Sequence, residues 1–402
     1  MSLASHRDRT RTHRSRGVRA SALLSLCVGV LWAYASIAQQ TQHSEPARQR
    51  VSGEAAQHLQ AIIDGARDDG LPGGIIVRIE SLRDGRLWEG TSGPFDEAEA
   101  GPIRSTDSFR VASITKSFTA AVIWRLAEER QIGIDDRIAK YLPAELVSRL
   151  HVLNGVSYGD RITIRELLCH CSGIYDYATD KNVLRYMFVH PRKHWTPQEL
   201  VDLALRSGKP YFPPGQGQHY SDTGYLLLGF VIEKVTGEPL AQVYHEFIYQ
   251  PLGLHDIYLE GREPAVGPSL SHNYVGYLDE HDFDPTLDAY ASGGQVATAA
   301  DLAAFISAVM GGHFFKSPQT LAAALADPPD VRPAGKEHYL GHYLFYSIDS
   351  AGVRLLGHAG FWGGVMYYDR AREIVITGTG NQVDRDLPVG KLIEAFNGPL
   401  TR

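Results

Sequence analysis

Apolar residues in "GGIIVRIESLRDGRLWEGTSG" fall into two alternating runs on either side of Asp84-Gly85. That dipeptide between alternating runs predicts a β-hairpin. Residues 47–69, just before it, have the three-and-four spacing of a helix. Toward the other end, "HYLFYSID", "VRLLGH", "GGVMYYD" and "EIVITGTG" read as strands separated by turn residues, and "VGKLIEAFNG" as a helix. From roughly Glu128 to Ala300 helical spacing dominates, most clearly in "SDTGYLLLGFVIEKVTG". The pattern predicts an α+β fold in which one antiparallel sheet, built from both chain ends and flanked by helices, carries a mainly helical inserted region. The corresponding boundaries are 39–127 and 301–402 for the two parts of the α/β domain and 128–300 for the helical region. A cleft is expected between the two parts.

The first 38 residues follow another pattern. Arg7, Arg9, Arg11, Arg14, Arg16 and Arg19 precede the apolar run "ASALLSLCVGVLWAYA", and Ser36 and Ala38 suit a cleavage site. This order of basic, apolar and small residues predicts a signal peptide and a secreted or periplasmic mature protein. The alternative is an uncleaved N-terminal membrane anchor, for which the apolar run is near the lower limit of length. No lipid-attachment signal is read at Cys27, which follows Leu26.

Composition narrows the function. The 402 residues are 44% hydrophobic and 21% charged, as expected of a folded enzyme rather than a disordered chain. Six of the 39 basic and one of the 46 acidic residues lie in the leader, so the remainder carries 33 against 45, a net −12. Nucleic acid is therefore a poor candidate partner. Cys169 and Cys171 flank His170 in "LLCHCSGI"; the bridge would close a very short ring, and the spacing lacks the second ligand pair of a zinc site, so plain buried thiols are expected. No H-E-x-x-H pattern and no G-x-S-x-G elbow occurs. No metal or cofactor is called for.

Candidate chemistry lies in "FRVASITKSFTAA". Ser113 and Lys116, three residues apart at the front of an apolar helical run, fall on one helix face, close enough to share a proton. A serine hydroxyl becomes a nucleophile when a neighbour takes its proton, and Lys116 or Tyr220 could do so if its pKa were lowered. Tyr220-Ser221-Asp222 opens the long central helix, and His358-Ala359-Gly360 lies between two late strands.

With these residues in place the sequence resembles the serine β-lactamase and penicillin-binding-protein superfamily, in particular the class C branch with its esterases, D-aminopeptidases and DD-carboxypeptidases. The likeness runs through "DDRIAKYLP", "ITIRELLCHCSGI", "FPPGQGQHYSDTGYLLLGFVIEKVTGEPL", "IYQPLGL", "SGGQVATAADLAAF" and "GHAGFWGG", in family order. It implies a β-lactamase/transpeptidase-like fold with Ser113 as nucleophile, Lys116 as its activating partner and Tyr220 as general base. It also implies an oxyanion hole from the N–H groups of Ser113 and Phe361, with Gly360 leaving room for substrate beside the backbone.

Two departures concern the substrate-binding residues. His358 stands where β-lactamases usually have lysine, which weakens the case for a carboxylate-bearing antibiotic. Asp222 replaces the usual asparagine and, when ionised, cannot donate to a substrate carbonyl. Pairing with Lys116, meeting a substrate amine and capping the helix all stay open for it. The expected activity is a secreted serine hydrolase acting through an acyl-enzyme on a small ester, amide or peptide. DD-peptidase or D-aminopeptidase work and weak β-lactamase activity are the enzymatic rivals, and a catalytically silent binding or scaffold homologue is the rival of another class.

Overall fold

The computed structural model describes residues 48–98, 101–288, 290–326, 338–340, 345–348 and 354–398. The leader and its alternative, the membrane anchor, lie outside them. Among the described residues no helix is long and apolar enough to cross a membrane.

The two chain ends do meet in one sheet. Its eight strands run in the order Gln49–Arg50, Arg86–Ser92, Ile75–Ser81, Ile374–Thr379, Gly364–Asp369, Arg354–Ala359, Phe345–Ile348 and His338–Leu340. The Asp84-Gly85 hairpin pairs Ile75 with Ser92 through to Glu80 with Leu87. Ile374–Thr379 then joins the C-terminal strands to Ile75–Ser81. One pair departs from the expected antiparallel sheet: Gln49–Arg50 lies parallel to Arg86 and Leu87. A two-residue edge strand has too few side chains to announce itself by alternation.

Alternation along the strands fills both faces. Ile75, Val77 and Ile79 pack with Trp88 under the helices Gly53–Arg67 and Val389–Asn397, through Leu59, Ile63, Leu392, Ile393 and Phe396. On the opposite face Ile76, Met366 and Val375 join the larger core formed with helices Thr115–Glu128 and Ala299–Met310 and with the helical region. That region contains Ala144–Leu150, Ile164–Leu168, Lys181–Val189, Pro197–Ser207, Asp222–Thr236 and Leu240–Tyr244. A small sheet that the sequence reading missed links Phe109–Arg110, Gln295–Ala297 and Tyr258–Leu259. Its middle strand brings residues 292–295 against the Ser113 turn.

The helix Thr115–Glu128 buries every residue from Thr115 to Trp124. A helix apolar on all sides belongs inside a core, and this one stacks Phe118 on Phe305 with ring centroids 3.8 Å apart. The central helix Asp222–Thr236 packs beside it. Ser221 starts that helix by accepting from the Gly224 N–H at 3.2 Å, and Gly237, in the left-handed region at φ 77°, ends it.

Candidate active site

Ser113 sits in a short 3-10 turn, Ala112–Ile114, that leads into the helix Thr115–Glu128. Ala112, buried and non-glycine, is held at φ 45°, a sparsely populated conformation that the surrounding packing must impose. The packing is visible at Gly360: a Cβ there would come within 2.2 Å of the Val111 carbonyl. Only glycine lets the end of strand Arg354–Ala359 press so close to the serine turn, and Phe361, half exposed, follows in the turn to Gly364.

Lys116 is 1% exposed. Its Nζ donates to Ser113 Oγ at 3.1 Å, to Asp222 Oδ1 at 2.5 Å and to the Ser292 carbonyl at 2.7 Å. Those acceptors engage all three donors of an ammonium. Tyr220 completes the group. Its hydroxyl is hydrogen-bonded with Ser113, and its ring centroid lies 4.8 Å from Lys116 Nζ. Burial, and next the Asp222 carboxylate, push the phenol well above its ordinary range, while the bond with Ser113 works against them. Tyr220 therefore rests as a phenol.

The three readings of Asp222 separate here. Ser221 supplies the side-chain cap, and Asp222 pairs with Lys116. His358 is buried, with its ring 6.5 Å from that of Tyr220 and its Nδ1 2.6 Å from the Ala359 carbonyl. Burial, and next the Lys116 charge, hold it well below the ordinary histidine range. The partial charge that its ordinary pKa suggests is therefore absent at neutral pH, and His358 lies against Tyr220 within the site.

Two groups escaped the sequence reading. His170, at φ 57°, stacks on Tyr220 with centroids 4.5 Å apart and on Tyr225 at 5.1 Å, while its Nδ1 accepts from the Ser221 N–H at 3.0 Å. Its carbonyl accepts from the His219 N–H at 2.9 Å, so it fixes the backbone on both sides of Tyr220. The flanking Cys169 and Cys171 form a disulfide, contrary to the expected plain thiols. The left-handed turn at His170 brings their Cα atoms to 5.3 Å, within the ordinary span for a bridge.

The second group is Asp176, fully buried, whose Oδ1 accepts from the Asp222 N–H at 2.9 Å. Burial, and next the Asp222 charge, raise its carboxyl to about 7. The fold thus holds this proton more tightly than the unfolded chain does. The associated stability is complete below the ordinary carboxyl range and is lost as pH rises through about 7. Asparagine would keep the acceptor without the charge. Asp176→Asn is expected to raise Tm by roughly 3 °C or more at pH 8, with the gain fading toward pH 4; paired melting curves at the two pH values check this.

With this geometry in view, comparison with known proteins is specific. The beta-lactamase family pattern matches residues 59–393. The chain belongs to the beta-lactamase family. Esterase EstB of Burkholderia gladioli is 28% identical over 385 residues, spanning 86% of this chain and 93% of its own. Penicillin-binding protein 4* of Bacillus subtilis is 26% identical over 313 residues, and the match spans 72% of this chain but only 64% of that relative. Among solved structures, a D-stereospecific amidohydrolase from a Streptomyces species superposes with a TM-score of 0.72 at 30% identity, covering 86% of this chain and 99% of its own. The resemblance read from the sequence motifs thus extends to the beta-lactamase fold, and hydrolases are among this chain's relatives.

Proposed function

We propose that the chain is an exported serine hydrolase that works through an acyl-enzyme on esters or short amides and peptides, with water as the acceptor. The observation that carries this reading is the triple engagement of Lys116 Nζ, which bonds Ser113 Oγ while Asp222 and the Ser292 carbonyl fix its position. With Lys116 donating to Ser113 Oγ, the serine proton is free to point at the Tyr220 oxygen. Once the coupled set has lost its proton, Tyr220 is a phenolate; as Ser113 attacks a substrate carbonyl, Tyr220 accepts the serine proton, becomes a phenol, and passes that proton to the leaving group, which restores the phenolate. Water then takes the place of the leaving group and the same transfers return the serine. Developing negative charge on the carbonyl oxygen is stabilised by the Ser113 and Phe361 N–H groups. The role of Lys116 is to hold positive charge beside the transient phenolate. The arginine-rich leader supports export.

A neutral, buried His358 offers no fixed charge to a substrate carboxylate, which favours neutral or amine-bearing substrates over β-lactam antibiotics. A substrate panel read by intact mass tests the function: a mass increase equal to the acyl group, mapped to the peptide containing Ser113, is expected. Absence of any adduct or turnover with esters, amides and lactams would leave the fold as a binding protein.

Because Tyr220 rests as a phenol, activity should climb toward alkaline pH as the coupled set loses its proton. Tyr220→Phe is expected to lower kcat about 100-fold or more with little change in melting temperature. An unaltered pH–rate profile in that variant would remove the phenol from the proton path.

A further inference from the structure

The Cys169–Cys171 disulfide has no part in the chemistry above, yet it brackets a ring that stacks on Tyr220. Its setting is the end of the helix Ile164–Leu168. There the His170 N–H donates to the Leu167 carbonyl at 3.2 Å and the Cys171 N–H to the Glu166 carbonyl at 2.8 Å. That nested pair of bonds is a common way to end a helix, and it requires left-handed backbone at the position His170 occupies. Glycine is the usual residue there. A histidine at φ 57° meets the Cβ crowding that glycine avoids.

The bridge acts on that conformation directly. Its Cα atoms are 5.3 Å apart. Extended backbone at residue 170 would hold them about 6.6 Å apart with Cβ atoms equally distant, whereas a disulfide needs its Cβ atoms within about 4.5 Å. The bridge therefore excludes extended conformations and leaves turned ones. The turn aims three successive carbonyls at the segment that carries Tyr220: Cys169 accepts from Gln218 Nε2 at 2.8 Å, His170 from the His219 N–H at 2.9 Å and Cys171 from the Gly215 N–H at 2.9 Å. Successive carbonyls of an extended chain point to opposite sides and cannot do this. The imidazole adds a fourth bond, its Nδ1 accepting from the Ser221 N–H at 3.0 Å while the ring covers Tyr220. Burial, and next the Lys116 charge, hold His170 well below the ordinary histidine range, so that nitrogen stays an acceptor.

We propose that His170, locked in its turn by the Cys169–Cys171 bridge, is the positioning residue for Tyr220, and that hydrolysis therefore depends on the oxidised protein. The loss of hydrolysis rests on the hydrolase reading above; the hold of the bridge on the Tyr220 segment does not. A dithiol reductant supplies two electrons and two protons: the S–S bond breaks to two thiols and the reductant closes to its own disulfide. Residue 170 can then leave the left-handed region, and its ring and the three carbonyls withdraw from Tyr220 together. The fold as a whole persists, because so short a ring removes little freedom from the unfolded chain.

The test compares the oxidised wild type with two open forms: wild type reduced by dithiothreitol, its thiols counted by alkylation and intact mass, and Cys169→Ser/Cys171→Ser, which needs no reductant to reach the buried bridge. Opening should lower kcat for a nitrophenyl ester about tenfold or more, with KM little changed and Tm down by a few degrees. Reoxidation should restore the wild type, and the double variant should ignore the reductant. His170→Gly suits the helix end but lacks the ring, so it should keep its melting curve and still lose kcat. Unchanged kcat in an open form, wild-type kcat in folded His170→Gly, or collapse of the whole fold on opening overturns the proposal. Hydrogen exchange separates the two readings. The His219 and Ser221 amides should exchange about tenfold faster in the open forms, whether or not any substrate is turned over. Absence of turnover and of acyl adduct in the oxidised protein defeats the hydrolase reading alone; equal exchange in oxidised and open forms defeats the latch.

Discussion

Ser113→Ala is expected to abolish labelling by a fluorophosphonate probe and to reduce turnover of a short-chain nitrophenyl ester by about 10⁴-fold or more. Losses of that order follow when a nucleophile acting within a coupled set is removed, and what survives comes from oxyanion stabilisation and binding. The variant should fold normally. Ser113 accepts one of three bonds from Lys116, and the other two hold the amine in place without it. Wild-type turnover in folded Ser113→Ala protein would show that the reaction runs elsewhere.

Lys116→Met should cost both activity and stability. Asp222, 5% exposed, would keep its burial and lose its counter-charge, and breaking a buried pair from one side costs about 3–5 kcal/mol. Adding Asp222→Asn removes the stranded charge. The double variant should therefore recover most of the melting temperature and none of the hydrolysis. Chemical denaturation beside an ester assay separates the two outcomes: if the second substitution restores no stability, the pair is not what holds this part of the core together.

How much of this was legible in the sequence differs from element to element. The Asp84-Gly85 hairpin and the C-terminal strands were readable because side chains alternate over several residues against one core. Ser113 and Lys116 were readable because helix geometry alone puts positions three apart on one face. Asp222 was not, since capping and pairing leave the same local signature; the choice depended on where Lys116, 106 residues away, would lie. The small sheet through Gln295–Ala297 has strands of two or three residues, too short for a period. His170 left only a faint trace, its place between two cysteines in "LLCHCSGI". Its contacts with Tyr220 come from a left-handed backbone turn that non-glycine residues seldom adopt.

Pairing of Ile75–Ser81 with Ile374–Thr379 also sets the timing of assembly. During synthesis the serine turn leaves the ribosome long before the strands that support it, and contacts so distant along the chain must wait for loop closure. A nascent or C-terminally truncated chain lacking residues 354–379 has neither the Gly360 buttress nor the Phe361 amide. The close contact of Gly360 with the serine turn therefore forms only after residues 354–379 have been made, and a chain that stops short of them lacks it.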